Sequence, residues 1–335
     1  MTNRRSLLWV ALVAGTLAWL AACGDDGGAG DDSGVVDGGV ADAVADAAWP
    51  PLRADLASPE SYDCNAVGAP PARVSTLPLG CFGDFACEGL VVVAHRGLGY
   101  LAPRNTLSAV RAAVVMGVDM VEVDVRLTAD GVPVLLHDAD VDSTTDGTGD
   151  VDAMTLAEVQ ALEITYVDEL VGDFSCERIP TFREMLVLAA GRIDIMVDLK
   201  QGAATAALVI EEEGLLSQAV MLGSQTELFE ARAVVPDLRI MIRPTDHLEV
   251  QPFWDAFVPV PDVVHIDPGF DDPQTIDLIH SLGAKVLMDM WGADANAALL
   301  GDLSHYAEAY EAGIDLQQSE FAFFTLWSVG RGSPP

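Results

Sequence analysis

"MVEVDVRLTADGVPVLLHD", residues 120–138, decides the fold. Two alternating, β-branched runs flank only "TADG". No helix fits in so short a link, and parallel strands need a crossover of about a dozen residues or more. Asp-Gly between apolar runs is a hairpin signal. Residues 132–138 are therefore expected to fold back antiparallel on 120–127. If Asp130 and Gly131 form a two-residue loop, facing positions sum to 261, and Asp124 lies opposite His137. Glu122 then shares that strand face, diagonal to His137.

Outward from this hairpin, short apolar runs recur at 90–95, 193–200, 219–224, 238–243, 263–267, 285–291 and 314–319. Amphipathic stretches such as "TLSAVRAAVVMG", "TFREMLVLAAG" and "PQTIDLIHSLG" lie between many of them. This alternation predicts parallel strands joined by helical crossovers. Nine strands less the returning one leaves eight. The expected fold is an α/β (β/α)8 TIM-type barrel, a fold of about 250 residues, with a short antiparallel hairpin after the second strand. The barrel is placed at 89–330, with an N-terminal extension at 59–88 and no internal repeat.

Arg4 and Arg5 precede the apolar "LLWVALVAGTLAWLAA", and Cys23 follows it. A basic start, a short apolar segment and small residues before a cut site predict a secretory signal. "LAAC" (20–23) resembles the bacterial lipobox, which implies a lipoprotein signal peptide at 1–22 and lipidation of Cys23. Residues 23–58 are rich in Gly, Asp and Ala and read as a flexible acidic tether. The expected location is extracytoplasmic, on a membrane through the lipid anchor. Four further cysteines, Cys64, Cys81, Cys87 and Cys176, suit disulfides in an exported chain, with three pairings open. One pairing closes a small Cys81–Cys87 loop and leaves Cys64 with Cys176. A formal net charge of -35 argues against a nucleic-acid partner, and no protein partner is evident. The same charge demands a local cationic site for any anionic substrate.

Such a site emerges at the strand ends, where parallel-barrel enzymes place their chemistry. His95 and Arg96 end the first strand, Glu122 and Asp124 sit in the second, and Asp198 and Lys200 end the fourth run. Three carboxylates, Glu122, Asp124 and Asp198, make a hard oxygen site for a divalent metal such as calcium or magnesium. With Arg96 and Lys200, that metal would offset the charge of a phosphodiester. His95 and His137 then supply acid and base, and Trp291 is expected to line the mouth. His265, inside "VVHID", reads as a core histidine with a backbone partner.

"AHRG", "APRNT", "VEVDVRLTADGVPVLLHD", "TTDGTGDV", "IPTFREML" and "DLK" occur here in the order seen in the glycerophosphodiester phosphodiesterase family, which this sequence resembles over about 90–325. "GIDLQQSEF" looks like a degenerate form of that family's last strand. The resemblance implies hydrolysis of glycerophosphodiesters to an alcohol and glycerol phosphate. By motif position it implies metal ligation by Glu122, Asp124 and Asp198, catalysis by His95 and His137, and phosphate contacts from Arg96 and Lys200. Three departures stand out. Arg104 replaces the glutamate of Pro-Glu-Asn-Thr, a cation where the family has an acid, which points to reduced metal affinity or activity. Asp198 replaces a common Glu, as in the sphingomyelinase D group. Ser224-Gln225 replaces Ser-Phe. Alternatives are a lysophospholipase D or sphingomyelinase D-like activity on a phospholipid-derived substrate, or a non-catalytic envelope binding protein.

Overall fold

The computed structural model describes residues 58–68, 70–165 and 170–331. The signal segment, Cys23 and all but the last residue of the tether lie outside the described residues.

All nine expected strands are present: β1 (Val91–Ala94), β2 (Met120–Leu127), β3 (Pro133–Leu135), β4 (Asp194–Leu199), β5 (Ala219–Leu222), β6 (Ile240–Ile242), β7 (Val263–Ile266), β8 (Lys285–Asp289) and β9 (Leu316–Ser319). Eight pair in parallel, in the order β1-β9-β8-β7-β6-β5-β4-β2, and a β1–β2 pairing closes the ring. The result is a closed (β/α)8 barrel. β3 lies outside it, antiparallel on β2.

The hairpin register differs from expectation by one residue. Val125 faces Leu135 and Leu127 faces Pro133, so facing positions sum to 260. Asp124 therefore meets Leu136, whose N–H donates to the Asp124 carbonyl at 3.1 Å, and not His137. The reason is the loop. A two-residue type I′ turn needs positive φ at both central residues, but only Gly131 (φ 77°) has it, and Asp130 does not. The chain instead makes a three-residue loop that ends on a left-handed glycine, closed by Thr128 and Val132.

Alternate residues of each strand take opposite faces, and two apolar layers follow. Val92, Ala94, Val121, Val123, Ile195, Val197, Ile240, Val264 and Val286 face outward, beneath the helices. Val91, Val93, Met120, Met196, Val220, Leu222, Met241, Val263, Leu287 and Leu316 fill the barrel interior. Phe82 and Cys81, from the segment before β1, join that inner layer and are buried. Disulfides join Cys81 to Cys87 and Cys64 to Cys176. The second ties the N-terminal extension to the long connection between β3 and β4.

The helices start where sequence signals place them. Thr181 with Glu184 and Ser224 with Glu227 form reciprocal capping boxes ahead of Phe182–Ala189 and Gln225–Val234. Each such cap stabilises its helix by about 1 kcal/mol. The Ser224 hydroxyl is thereby committed to a helix terminus.

Candidate active site

The inward-facing parity of the apolar layer continues to the C-terminal end of all the barrel strands but β5, and there the residues become polar. After Val93 comes His95, after Met120 come Glu122 and Asp124, and after Met196 come Asp198 and Lys200. After Met241 comes Arg243, after Val263 come His265 and Asp267, after Leu287 come Asp289 and Trp291, and after Leu316 come Gln318 and Glu320. Seven of the eight barrel strands thus deliver one ring of functional side chains to the barrel mouth.

The turn after β1 is set by backbone demands. Arg96 (φ 53°) and Gly97 (φ 77°) are both left-handed. A side chain at Gly97 would place its Cβ 2.6 Å from that of Ala109, so only glycine lets the helix Leu107–Met116 approach. The non-glycine residue in this conformation costs of order 1–3 kcal/mol. It is held by the Arg96 N–H, which donates to Glu122 Oε2 at 2.7 Å. The Asn105 N–H in turn donates to the Arg96 carbonyl at 2.9 Å. Asn105, itself left-handed (φ 55°), donates from Nδ2 to Asp124 Oδ2 at 2.7 Å and accepts from the Asp124 N–H at 3.1 Å. The "HRG" and "RN" residues are thus one clamp on the β2 carboxylates.

His95 is buried, and Glu320 Oε1 lies 2.7 Å from its Nδ1, leaving Nε2 toward the mouth, 3.8 Å from Glu122. The Trp291 ring packs on it at 4.8 Å between centroids, as expected of a residue at the mouth. Arg104 reaches toward the end of β9. Its guanidinium pairs with Glu320 at 3.2 Å. Burial opposes ionisation of Glu320, but Arg104 and then His95 hold its carboxyl down to about 2. The acid that orients His95 therefore comes from the end of β9, and Arg104 supports it. His137, past the end of β3, has Nδ1 2.8 Å from Asp138 Oδ1, and its carbonyl accepts from Arg126. It lies close enough to Asp124 for its charge to act on that carboxylate, despite the shifted register.

Glu122, Asp124 and Asp198 each bring an oxygen within 4.8 Å of the others. Arg96 Nε lies 3.3 Å and Lys200 Nζ 3.6 Å from Asp124, and Lys200 also reaches Asp198 at 3.2 Å. Burial opposes the charge on Asp124, but Arg96 and Lys200 keep its carboxyl below the usual range. Glu122 goes the other way. Burial first, then Asp124 and Asp198, push it well above the ordinary carboxylate range. Its Oε1 is buried with no hydrogen-bond partner. Burial likewise raises Asp198. Two available cations do not satisfy three clustered acids, and the all-oxygen donor set fits a hard divalent ion.

Every expected site residue from 95 to 291 therefore meets at one mouth. Sequence analysis missed Asn105, Arg243, Asp289 and Glu320, and it misread His265. No backbone group partners that imidazole. It faces the barrel interior, with Nε2 3.2 Å from Asp289 Oδ2. Strict i+2 parity along each strand would have found all of them except Asn105, which lies on a turn.

Comparison with known proteins agrees with this architecture. Residues 95–251 match the glycerophosphoryl diester phosphodiesterase family. Bovine glycerophosphodiester phosphodiesterase 1 is 48% identical over 92 residues, 28% of each chain. The Caldanaerobacter subterraneus glycerophosphodiester phosphodiesterase is 39% identical over 112 residues, 33% of this chain and 44% of that one. The matched stretch thus spans less than half the length of these relatives. A solved Oleispira antarctica phosphodiesterase, in complex with the product sn-glycerol-3-phosphate, shares the fold. It superposes with a TM-score of 0.61 at 24% identity, over 71% of this chain and 95% of that one. An Agrobacterium tumefaciens glycerophosphodiester phosphodiesterase gives 0.60 at 23%, over 71% and 99%. Residues 95–251, just under half of the chain, thus resemble the glycerophosphoryl diester phosphodiesterase family, and the whole barrel shares the fold of its solved members.

Proposed function

We propose that the chain hydrolyses glycerophosphodiesters to an alcohol and glycerol phosphate, at a divalent cation held by Glu122, Asp124 and Asp198. The observation that carries this is the orphaned, buried Glu122 oxygen within a three-carboxylate cluster, flanked by Arg96, Lys200 and two imidazoles. The product named in the Oleispira complex supports the substrate class. The cation would polarise a phosphoryl oxygen and offset the charge that develops there. Arg96 and Lys200 position the phosphate. Of His95 and His137, one takes the proton of the attacking hydroxyl and the other protonates the departing alkoxide. Glu320 fixes the ring of His95, and Asp138 does the same for His137. Trp291, packed on His95, limits water at that side.

We further place the chain outside the cytoplasm as a lipoprotein anchored through Cys23. The two disulfides support an oxidising compartment.

One observation favours a second substrate class. A cavity of about 240 Å³ is lined by Leu228, Ile242, Phe253 and Phe257 together with Gly223, Ser224, Gln225 and Arg243. An apolar chain fits there, as in a lysophospholipid. A panel of glycerophosphocholine, lysophosphatidylcholine and sphingomyelin, read by choline and glycerol phosphate release, tests the choice. Glycerophosphocholine turnover is expected. Turnover of the lipids alone would move the function to a phospholipase D type, and turnover of none by folded, metal-loaded protein would reject hydrolysis.

A further inference from the structure

Across the mouth from Glu122, Asp124 and Asp198 lies a second group that the proposed hydrolysis does not use. His265 and Asp267, from the end of β7, and Asp289, from the end of β8, each offer a ligand atom, all within 4.8 Å of one another. His265 is 1% exposed and Asp289 6%. Nε2 and Asp289 Oδ2 form an ion pair at 3.2 Å, while His265 Nδ1 and Asp289 Oδ1 are left unmatched. A buried imidazole nitrogen left unmatched is costly, because desolvation is not repaid.

We propose that His265, Asp267 and Asp289 form a second cation site, distinct from the three-carboxylate cluster, that takes a divalent transition metal. One imidazole and two carboxylates suit manganese, iron or zinc better than calcium or magnesium. Metal bonds of about 2.0–2.2 Å in a tetrahedral site hold ligand atoms about 3.3–3.6 Å apart, so spacings of up to 4.8 Å need to close by at most about 1.5 Å. Three protein ligands leave open positions for water or an oxygen of substrate. Arg243 donates to Asp267 Oδ1 and lies 4.0 Å from Asp289 Oδ2. It offsets one of the two acid charges. Asp289 Oδ1 remains available, as does the second oxygen of Asp267. His265 and Asp198 lie near enough to interact, as do His95 and Asp289, so both clusters open to the same mouth. An ion here would add positive charge opposite the first cluster, where an anionic ester must sit. The site stands whether or not the chain turns over phosphodiesters.

The test is manganese binding to the purified protein, by equilibrium dialysis and pulsed electron paramagnetic resonance. The spectrum separates the sites, because the first offers only oxygen and the second an imidazole nitrogen. Two ions per wild-type chain are expected, with nitrogen coupling. His265→Gln should keep one ion and lose that coupling, and Asp289→Asn should also fall to one. Glu122→Gln should keep the nitrogen-coupled ion. One ion or none in the wild type, or nitrogen coupling that survives in folded His265→Gln, overturns the proposal. Because wild-type stoichiometry is decisive alone, a variant that fails to fold does not rescue it. Two bound ions without turnover would reject the hydrolytic function and leave this site standing.

Discussion

Glu320→Gln isolates the contribution of the acid behind His95. The carboxylate is buried, 2.7 Å from His95 Nδ1 and 3.2 Å from Arg104, and is held down to about 2. Against an ordinary glutamate, that displacement corresponds to about 3 kcal/mol of net stabilisation of the charged form. Arg104 is the larger cause and His95 the next. Losing one charge-assisted hydrogen bond to the His95 ring costs about 1.5 kcal/mol, which is about tenfold in rate if that bond holds in the transition state. The amide can still accept from Nδ1–H, so the ring keeps its orientation while the charge is lost. Steady-state hydrolysis of glycerophosphocholine should then show kcat down about tenfold with KM within twofold. Arg104→Gln, which leaves the acid in place, should cost less. A kcat for Glu320→Gln within twofold of wild type would refute the role given to this acid, and so would a loss confined to KM.

Three further outcomes follow from the structure. Asn105→Ala removes both bonds to Asp124 and puts alanine at a φ of 55°. Chemical denaturation should register a loss of about 2–4 kcal/mol, and a loss under 0.5 kcal/mol would contradict the clamp. Asp294 is wholly buried beneath Tyr306, Ser319 and the Glu320 N–H, and burial pushes its carboxyl up to about 7. A raised acid favours the fold below its unfolded value of about 4, and that contribution fades as pH rises to about 7. At most about 4 kcal/mol is involved. Asp294→Asn should therefore flatten stability against pH between 4 and 7, and an unchanged slope in denaturation curves would count against it. Replacing Cys64 and Cys176 by serine opens a crosslink spanning 112 residues and should cost about 4–5 kcal/mol in the chain-entropy picture. Unchanged denaturation midpoints would reject that share.

Much of this was legible in the sequence because period and turn chemistry are local. The four-residue link at 128–131 excluded a helix, so it fixed the strand count before any site was considered. The register of the same hairpin was not legible. It depends on whether one residue or two adopt positive φ, and "DG" allows both a two-residue turn and a longer loop closed by glycine. The three-carboxylate cluster was visible as acids at odd places in apolar strands. Glu320 and Asp289 were not, because an isolated acid at a strand end also fits solvent exposure. Only the ring of eight strands shows that both point inward. Arg104 illustrates the same limit. Its sequence position showed a cation where the family has an acid, whereas its partner, Glu320, lies more than two hundred residues away in the chain.

Phosphorus NMR of purified, metal-loaded protein with glycerophosphocholine, run beside His95→Ala and beside wild type with excess chelator, tests the central claim most directly. The diester resonance should give way to that of glycerol phosphate in wild type alone. A diester that persists in the folded, metal-loaded wild type, or one consumed equally by His95→Ala, would contradict a phosphodiesterase working through this mouth.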